Sequence, residues 1–250
     1  MLKKKTLRKI VITGAGPGDP ELMTVKALRA LAVADAVVHD RLIPNSILKL
    51  IPPTAKKFFA GKARKSHSSM KQEEINRLLS KLALQGLKVV RLKGGDPMIF
   101  GRGGEEAEYL AERGIPFEII PGISSASGIS AAFNIPLTHR GLSRGVHFIS
   151  GHYTDPGTEL DWESLTDQQT TLVIYMGLAN IGVIARKLME HGLPKDFPLA
   201  AIENGTTKKG RILVSTLKNA ARAISKEGFA SPTLIIIGKV VTLYNKLRAQ

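Results

Sequence analysis

The run Val89-Val90-Arg91-Leu92-Lys93-Gly94-Gly95-Asp96-Pro97-Met98-Ile99-Phe100-Gly101-Arg102-Gly103-Gly104-Glu105-Glu106 gathers residue types that hold a ligand. Val89 to Leu92 reads as the end of a buried strand. Gly94 and Gly95 let the backbone turn and let a bound molecule approach main-chain N–H and C=O groups. Asp96 sets one carboxylate at that turn, and Pro97 stops further strand pairing. Gly103 and Gly104 precede a helix predicted over 105–113, with Glu105 and Glu106 near its positive end. Two glycine clusters this close together exceed what a plain connection needs, so the run is read as a binding loop.

A second glycine cluster, Gly14-Ala15-Gly16-Pro17-Gly18-Asp19-Pro20, follows the first apolar run. Its third glycine comes one residue too early for the dinucleotide fingerprint G-x-G-x-x-G. Pro17 and Pro20 also lack the N–H groups that a pyrophosphate needs. An adenosine or a tetrapyrrole demands fewer backbone donors. No Walker pattern and no G-x-S-x-G elbow occur. His39, His67, His139, His147, His152 and His191 show no metal-site spacing, so no metal is expected. Without cysteine, thiolate chemistry, disulfides and cysteine-ligated metal are excluded.

These loops need strands and helices to hold them. The 250 residues suffice for one large domain or two modest ones, and 43% hydrophobic with 23% charged residues is ordinary for a globular protein. Strands are predicted at 10–12, 36–39, 56–59, 89–92 and 117–120. Helices are predicted at 21–34, with Val25, Leu28, Leu31 and Ala32 inward, and after Ser69 and Gln72, which have capping-box spacing. The second of these places Ile75, Leu78, Leu79 and Leu82 inward and stops at Gly86. A further helix covers 124–132. This alternation argues for a mostly parallel sheet covered on both faces. Pro136, Gly141 and Arg144 mark a boundary, giving an N-terminal α/β domain over 1–140 and a C-terminal one over 141–250. The second half carries strands at 146–150, 170–175, 199–203, 211–215 and 234–237 and a helix at 180–191, with a hairpin between the strands at 199 and 211.

Thirty-six Lys and Arg against 21 Asp and Glu give +15, a balance that attracts polyanions: nucleic acid, anionic membrane, or a small substrate rich in carboxylates or phosphates. Lys3, Lys4, Lys5, Arg8 and Lys9 read as a solvated tail, whereas Lys56, Lys57, Lys62, Arg64 and Lys65 crowd a short span beside glycine. Neither a signal peptide nor a membrane-length apolar run is visible, so the cytoplasm is the expected location.

The glycine cluster at 14–20 with Glu21, Asp40-Arg41-Leu42, Gly61-Lys62, Gln72-Glu73-Glu74-Ile75-Asn76, the run 91–106, Pro121-Gly122-Ile123-Ser124-Ser125, Pro136-Leu137-Thr138-His139-Arg140, Tyr175-Met176-Gly177, Glu203-Asn204-Gly205-Thr206 and Ser231-Pro232 occur in this order. The sequence resembles the tetrapyrrole methylase family from about Ile10 to Val241, and within it the members that act on uroporphyrinogen III. The resemblance implies two α/β domains, each a mixed, largely parallel sheet flanked by helices, with S-adenosylmethionine in the interdomain cleft and the chain in a homodimer. It implies cofactor contacts at Pro17, Gly94, Gly95, Asp96, Ile99, Ser124, Ser125, Met176, Gly205 and Thr233. Asp96 can accept from a cofactor ammonium or hydroxyl, Met176 and Ile99 offer apolar contact, and the two serines leave space. It further implies Asp40 as proton acceptor and Lys62 as donor.

The expected activity is methylation of uroporphyrinogen III at C2 and C7, through precorrin-1 to precorrin-2, for sirohaem or cobalamin synthesis, with S-adenosylhomocysteine as the other product. A pyrrole β-carbon attacks a sulfonium methyl without metal, and a carboxylate at a strand end can take the proton that leaves the macrocycle. The eight substrate carboxylates account for the charge, with Arg41, Lys62, Arg64, His67, Arg102, Arg140 and Arg144 as candidates to receive them. The chain length leaves no room for an added dehydrogenase–ferrochelatase module, so methylation alone is expected. Alternatives of the same fold are methylation of a later corrin precursor, of RNA or of diphthamide; 5% aromatic residues offer an RNA base little to stack on. A non-catalytic nucleic-acid-binding module and a dinucleotide dehydrogenase are the remaining alternatives.

Overall fold

The computed structural model describes residues 7–61, 70–152 and 160–248. The chain divides after Ser124 into two compact units. The sequence reading puts that boundary at 140/141.

In the first unit, β1 (Ile10–Gly14), β2 (Ala36–His39), β3 (Lys56–Phe59), β4 (Val89–Lys93) and β5 (Phe117–Ile120) form one sheet in the order β3-β2-β4-β1-β5. Every pairing is parallel. All five strands therefore end at the same edge. Helices α1 (Val25–Ala32) and α2 (Asn45–Leu48) cover one face, where Ala27, Leu31 and Ile47 meet Val37, Val90 and Leu92. Helices α3 (Gln72–Leu84) and α4 (Gly103–Ala111) cover the other, where Ile75, Leu79, Ala107 and Leu110 meet Ile10, Ile12, Val38 and Val89. The alternation of strand side chains dictates this division.

Local chemistry sets the helix ends. The helix predicted at 21–34 is broken in two: Asp19 accepts from the Glu21 amide at 2.9 Å over a single 3₁₀ turn, Pro20–Leu22. Thr24 then caps α1 by accepting from the Ala27 amide at 3.2 Å. The inward stripe moves accordingly to Ala27 and Leu31, leaving Val25 62% exposed and Leu28 and Ala32 outward. Ser69 lies outside the described residues. Helix α3 starts instead with the Lys71 amide donating to Glu74 Oε2 at 2.7 Å, and it buries Ile75, Leu79 and Leu82 as expected.

The second unit holds α5 (Ser125–Ala132), β6 (Gly145–Ser150), β7 (Thr170–Tyr175), α6 (Ile181–Glu190), β8 (Pro198–Glu203), β9 (Arg211–Thr216), α7 (Leu217–Lys226), β10 (Thr233–Ile237) and α8 (Tyr244–Leu247). Its sheet runs β6-β7-β10-β8-β9. Only β6 and β7 pair in parallel; the expected β8–β9 hairpin and both pairings of β10 are antiparallel, so this sheet is less parallel than expected. For β8 and β9 the reason is connection length, since a short turn permits only antiparallel return; β10 arrives through α7 and inserts antiparallel between β7 and β8. Helices α6 and α7, the latter not predicted, pack on one face through Ile184, Leu188, Ala220 and Ile224. Ala126 and Ile129 of α5 pack on the other against Val173, Ile202 and Ile236, which is why the division falls before this helix. Among the described residues, no helix is long and apolar enough to cross a membrane.

Candidate functional site

Neighbouring strands β1 and β4 feed helices on opposite faces of the first sheet. In parallel α/β sheets such a point, at the carboxyl edge, is where ligands bind. Both glycine clusters lie there. The Gly95 amide donates to Gly16 O at 2.8 Å and the Gly16 amide to Gly95 O at 3.2 Å, tying the two turns together. A Cβ on Gly14 would stand 2.3 Å from Gly95 O and 2.7 Å from Gly122 Cα, so main chain packs on main chain. Asp96 adds a clamp: Oδ1 accepts from the Met98 amide at 2.8 Å and Oδ2 from the Gly122 amide at 3.0 Å. These bonds fix the turns after β4 and β5. Lone pairs remain on both carboxylate oxygens.

Pro17, Gly94, Asp96 and Ile99 are half-buried, and Gly95 is buried. A Cβ on Gly94 would meet only Leu42 Cβ, at 3.3 Å, so its peptide faces an opening that a side chain would narrow. Phe100 and Arg102 both have left-handed backbone, φ 52° and 58°, in the tight turn that the Gly103 amide closes on Pro97 O at 2.9 Å. Strain of this kind outside glycine clusters at functional loops.

Asp40 follows β2 at the same edge. Side-chain alternation puts Ala36, Val38 and Asp40 on the face that α3 and α4 cover. Val38 pairs with Arg91 in the β2–β4 register. Arg91 therefore lies beside Asp40, and its Nη2 donates to Asp40 Oδ1 at 2.5 Å. Its Nε donates to Glu106 Oε1 at 3.0 Å, and its Nη1 to Val38 O at 3.3 Å. Lys93 Nζ and Gln72 Nε2 reach the same Glu106 oxygen at 2.9 and 3.2 Å. Arg91 is 2% exposed and Glu106 wholly buried, with Oε2 lacking any partner among the described residues. Burial alone would push the Arg91 guanidinium down, but Asp40 and then Glu106 hold it above its ordinary value. Burial, followed by repulsion from Arg91, pushes the Lys93 ammonium below its ordinary value despite Glu106. The apolar pattern of 89–92 predicts the strand but not this cluster. The available signal was two cations, Arg91 and Lys93, two residues apart in a strand whose five positions are all buried.

Of the expected residues in the second unit, Met176, Gly205 and Thr233 lie at one end of its sheet. Ile235 pairs with Ile174 and Thr233 with Glu203, so the ends of β7 and β8 meet the start of β10. Met176 follows β7 with φ 55° and is 54% exposed, a bulky apolar side chain held out on a strained backbone. Ser125 opens α5, and the next amide, of Ala126, donates to Tyr175 Oη at 3.0 Å, bringing that helix start to the same end. Gly205 has a packing reason: a Cβ there would sit 2.6 Å from Ile129 Cγ1. Thr233 Oγ1 donates to Ala230 O at 2.6 Å. Ser124, which closes the first unit, is buried.

Lys62, Arg64 and His67 lie outside the described residues. Arg102 is exposed and forks onto Glu105, Nε to Oε1 at 2.8 Å and Nη2 to Oε2 at 2.6 Å. Arg144 pairs loosely with Asp167 at 3.7 Å, and Arg41 and Arg140 are exposed.

The model of the Tetrapyrrole (Corrin/Porphyrin) Methylases matches residues 9–221. A chloroplastic S-adenosyl-L-methionine-dependent uroporphyrinogen III methyltransferase from Arabidopsis thaliana is 50% identical over 94% of the chain and 64% of its own length. A sirohaem synthase from Azotobacter vinelandii is 48% identical over 97% of the chain and 52% of its own length. The chain thus spans about half to two-thirds of the curated relatives it matches. The structure of uroporphyrin-III C-methyl transferase from Thermus thermophilus, complexed with S-adenyl homocysteine, superposes with a TM-score of 0.79 at 37% identity, covering 94% of each chain.

Proposed function

Because the chain belongs to the tetrapyrrole methylase family, we propose that it is an S-adenosylmethionine-dependent C-methyltransferase of uroporphyrinogen III. It methylates C2 and then C7, giving precorrin-1 and precorrin-2 for sirohaem or cobalamin synthesis, and acts as a homodimer in the cytoplasm. The observation that carries this reading is the 50% identity with the plant methyltransferase along 94% of the chain. The geometry supports it with a glycine-built strand edge and one partly exposed carboxylate, Asp40, on the same edge.

The residues present fit the cofactor. Gly94 and Gly95 offer peptide groups without side chains, Asp96 keeps acceptor capacity for an ammonium or hydroxyl, and Pro17 and Ile99 flank them. Ser124, Ser125, Gly205 and Thr233 supply small groups, and the exposed Met176 an apolar one. When bound, S-adenosylmethionine supplies an electrophilic sulfonium methyl. The chain's own work is alignment and proton handling. Asp40 accepts the proton that the macrocycle loses after its carbon has bonded to the methyl, and Lys62 serves as donor. Arg41, Arg102, Arg140 and Arg144 receive substrate carboxylates through charge-assisted hydrogen bonds.

Anaerobic incubation with uroporphyrinogen III and methyl-labelled S-adenosylmethionine tests the proposal. Two labelled methyl groups per macrocycle are expected. Asp40→Asn is expected to slow transfer by about 10²-fold or more and to leave S-adenosylhomocysteine affinity unchanged. Absence of transfer by the wild-type chain refutes the activity, and an Asp40→Asn variant at wild-type rate refutes the role of Asp40.

A further inference from the structure

We propose that Arg91 is the positioning residue for Asp40, braced from beneath by Glu106 and Lys93; the proposal rests on the functional reading above. Arg91 grips the segment around Asp40 twice, through the Asp40 carboxylate and through the carbonyl of Val38. A planar guanidinium with both contacts made is held in one orientation, and it anchors one oxygen of the carboxylate. The third contact, Nε to Glu106, stops the guanidinium from rotating away. Glu106 is in turn held on a single oxygen by Arg91, Lys93 and Gln72, on strand β4 and helix α3.

Of the two cations and two carboxylates in this cluster, only Asp40 reaches the surface, with its side chain 30% exposed. Its Oδ1 is taken by Arg91, and among the described residues no donor reaches Oδ2. Among the described residues, then, one oxygen is engaged and the other is left to take a proton from a bound molecule. Stability is weak ground for this arrangement, because well-packed apolar residues are often at least as stable as buried ion pairs of the same volume. Alignment does account for it, since a base displaced by about 1 Å loses on the order of 10²-fold in rate.

Arg91→Lys keeps the charge but cannot bridge Asp40 and Glu106 together. In the methyl-transfer assay its kcat is expected to fall by about 10²-fold, with the KM for S-adenosylmethionine and the Kd for S-adenosylhomocysteine within about threefold of wild type. The loss is expected to vanish in an Asp40→Asn background, because Arg91 acts only through that carboxylate. Should Arg91→Lys fail to fold, Glu106→Gln, which leaves Arg91 present but reduces its brace from an ion pair to a neutral hydrogen bond, carries the same test with a smaller fall in kcat. A wild-type kcat, or losses that multiply fully in the Asp40→Asn background, overturns the proposal. A wild-type chain that transfers no methyl overturns the functional reading and this proposal with it, and is told apart by the wild-type assay alone.

Discussion

Glu106→Gln removes one of the two carboxylates from a site where Arg91 and Lys93 stay buried. The variant keeps the shape and an acceptor oxygen for hydrogen bonding but leaves Asp40, partly exposed, as the counter-charge that remains among the described residues. Breaking a buried pair from one side costs about 3–5 kcal/mol. At about 2–4 °C per kcal/mol for a chain of this size, that lowers the midpoint of thermal unfolding by roughly 6–20 °C. Lys93→Met alone costs less, because Arg91 and Gln72 still hold Glu106 and a desolvated ammonium is gone. The double variant restores the balance of one cation to one carboxylate. It is expected to be more stable than Glu106→Gln alone, with a coupling of about 1–3 kcal/mol. Urea unfolding at neutral pH provides the measurement. Circular dichroism follows both units, whereas fluorescence of the sole tryptophan, Trp162, buried in the core of the second, reports that unit alone. Two probes are needed because a chain of two units need not unfold in one step. Either of two results refutes the reasoning: Glu106→Gln unfolding within about 1 kcal/mol of wild type, well short of the buried-pair cost, or a double variant that loses the full sum of the single losses.

Two further outcomes concern a surface carboxylate and a pair of glycines. Hydrogen bonds from Lys26 and then Lys9 pull the Glu118 carboxyl down to about 2 from its ordinary 4.5; its contribution to stability is therefore complete above about pH 4.5 and is lost as the pH falls toward 2. Carbon-detected NMR titration of that carboxyl checks it, and a midpoint at 4 or above contradicts it. Gly14→Ala drives a Cβ into the main chain of Gly95 and Gly122, which is expected to cost about 3 kcal/mol or more and to abolish S-adenosylhomocysteine binding by calorimetry. Gly104→Ala, with nothing within 4 Å of the new Cβ, is expected to raise stability by up to about 1 kcal/mol. Equal effects of the two alanines would show that crowding at Gly14 is not what matters.

Most strands were legible because their signal is local. Apolar runs such as Ile10 to Ile12 and Leu234 to Ile237 are bounded by glycine or proline and fall inside observed strands. Turn residues also announced the β8–β9 hairpin. Helix ends were legible only where the capping group stood in the expected place. Thr24 moved the start of α1 by competing for an amide, which a 3.6-residue period cannot register. Helix α7, although not predicted, does carry a local signal: Leu217, Ala220, Ala221 and Ile224 fall at i, i+3, i+4 and i+7 in an alanine-rich run, and this stripe is the face that packs.

The buried ions escaped for a deeper reason. Hydropathy treats Arg91 and Lys93 as interruptions of a strand, whereas the register makes them members of a cluster whose other half comes from two different elements. Asp40 lies 51 positions from Arg91, and Glu106 lies 15 positions further on. Neither separation has a local signature. What the sequence does contain is two cations, Arg91 and Lys93, in an apolar strand; with that strand buried at every position they require carboxylates nearby, because an unpaired buried charge costs several kcal/mol. Glycine allows only a few candidates to approach. The turns at Gly14, Gly95 and Gly122 pack main chain on main chain, drawing together the ends of β1, β4 and β5, and Asp40 shares that edge at the end of β2. The order of the strands decides which carboxylate answers that requirement: with β2 beside β4, Asp40 stands next to Arg91, a neighbour relation that no local pattern in the chain carries.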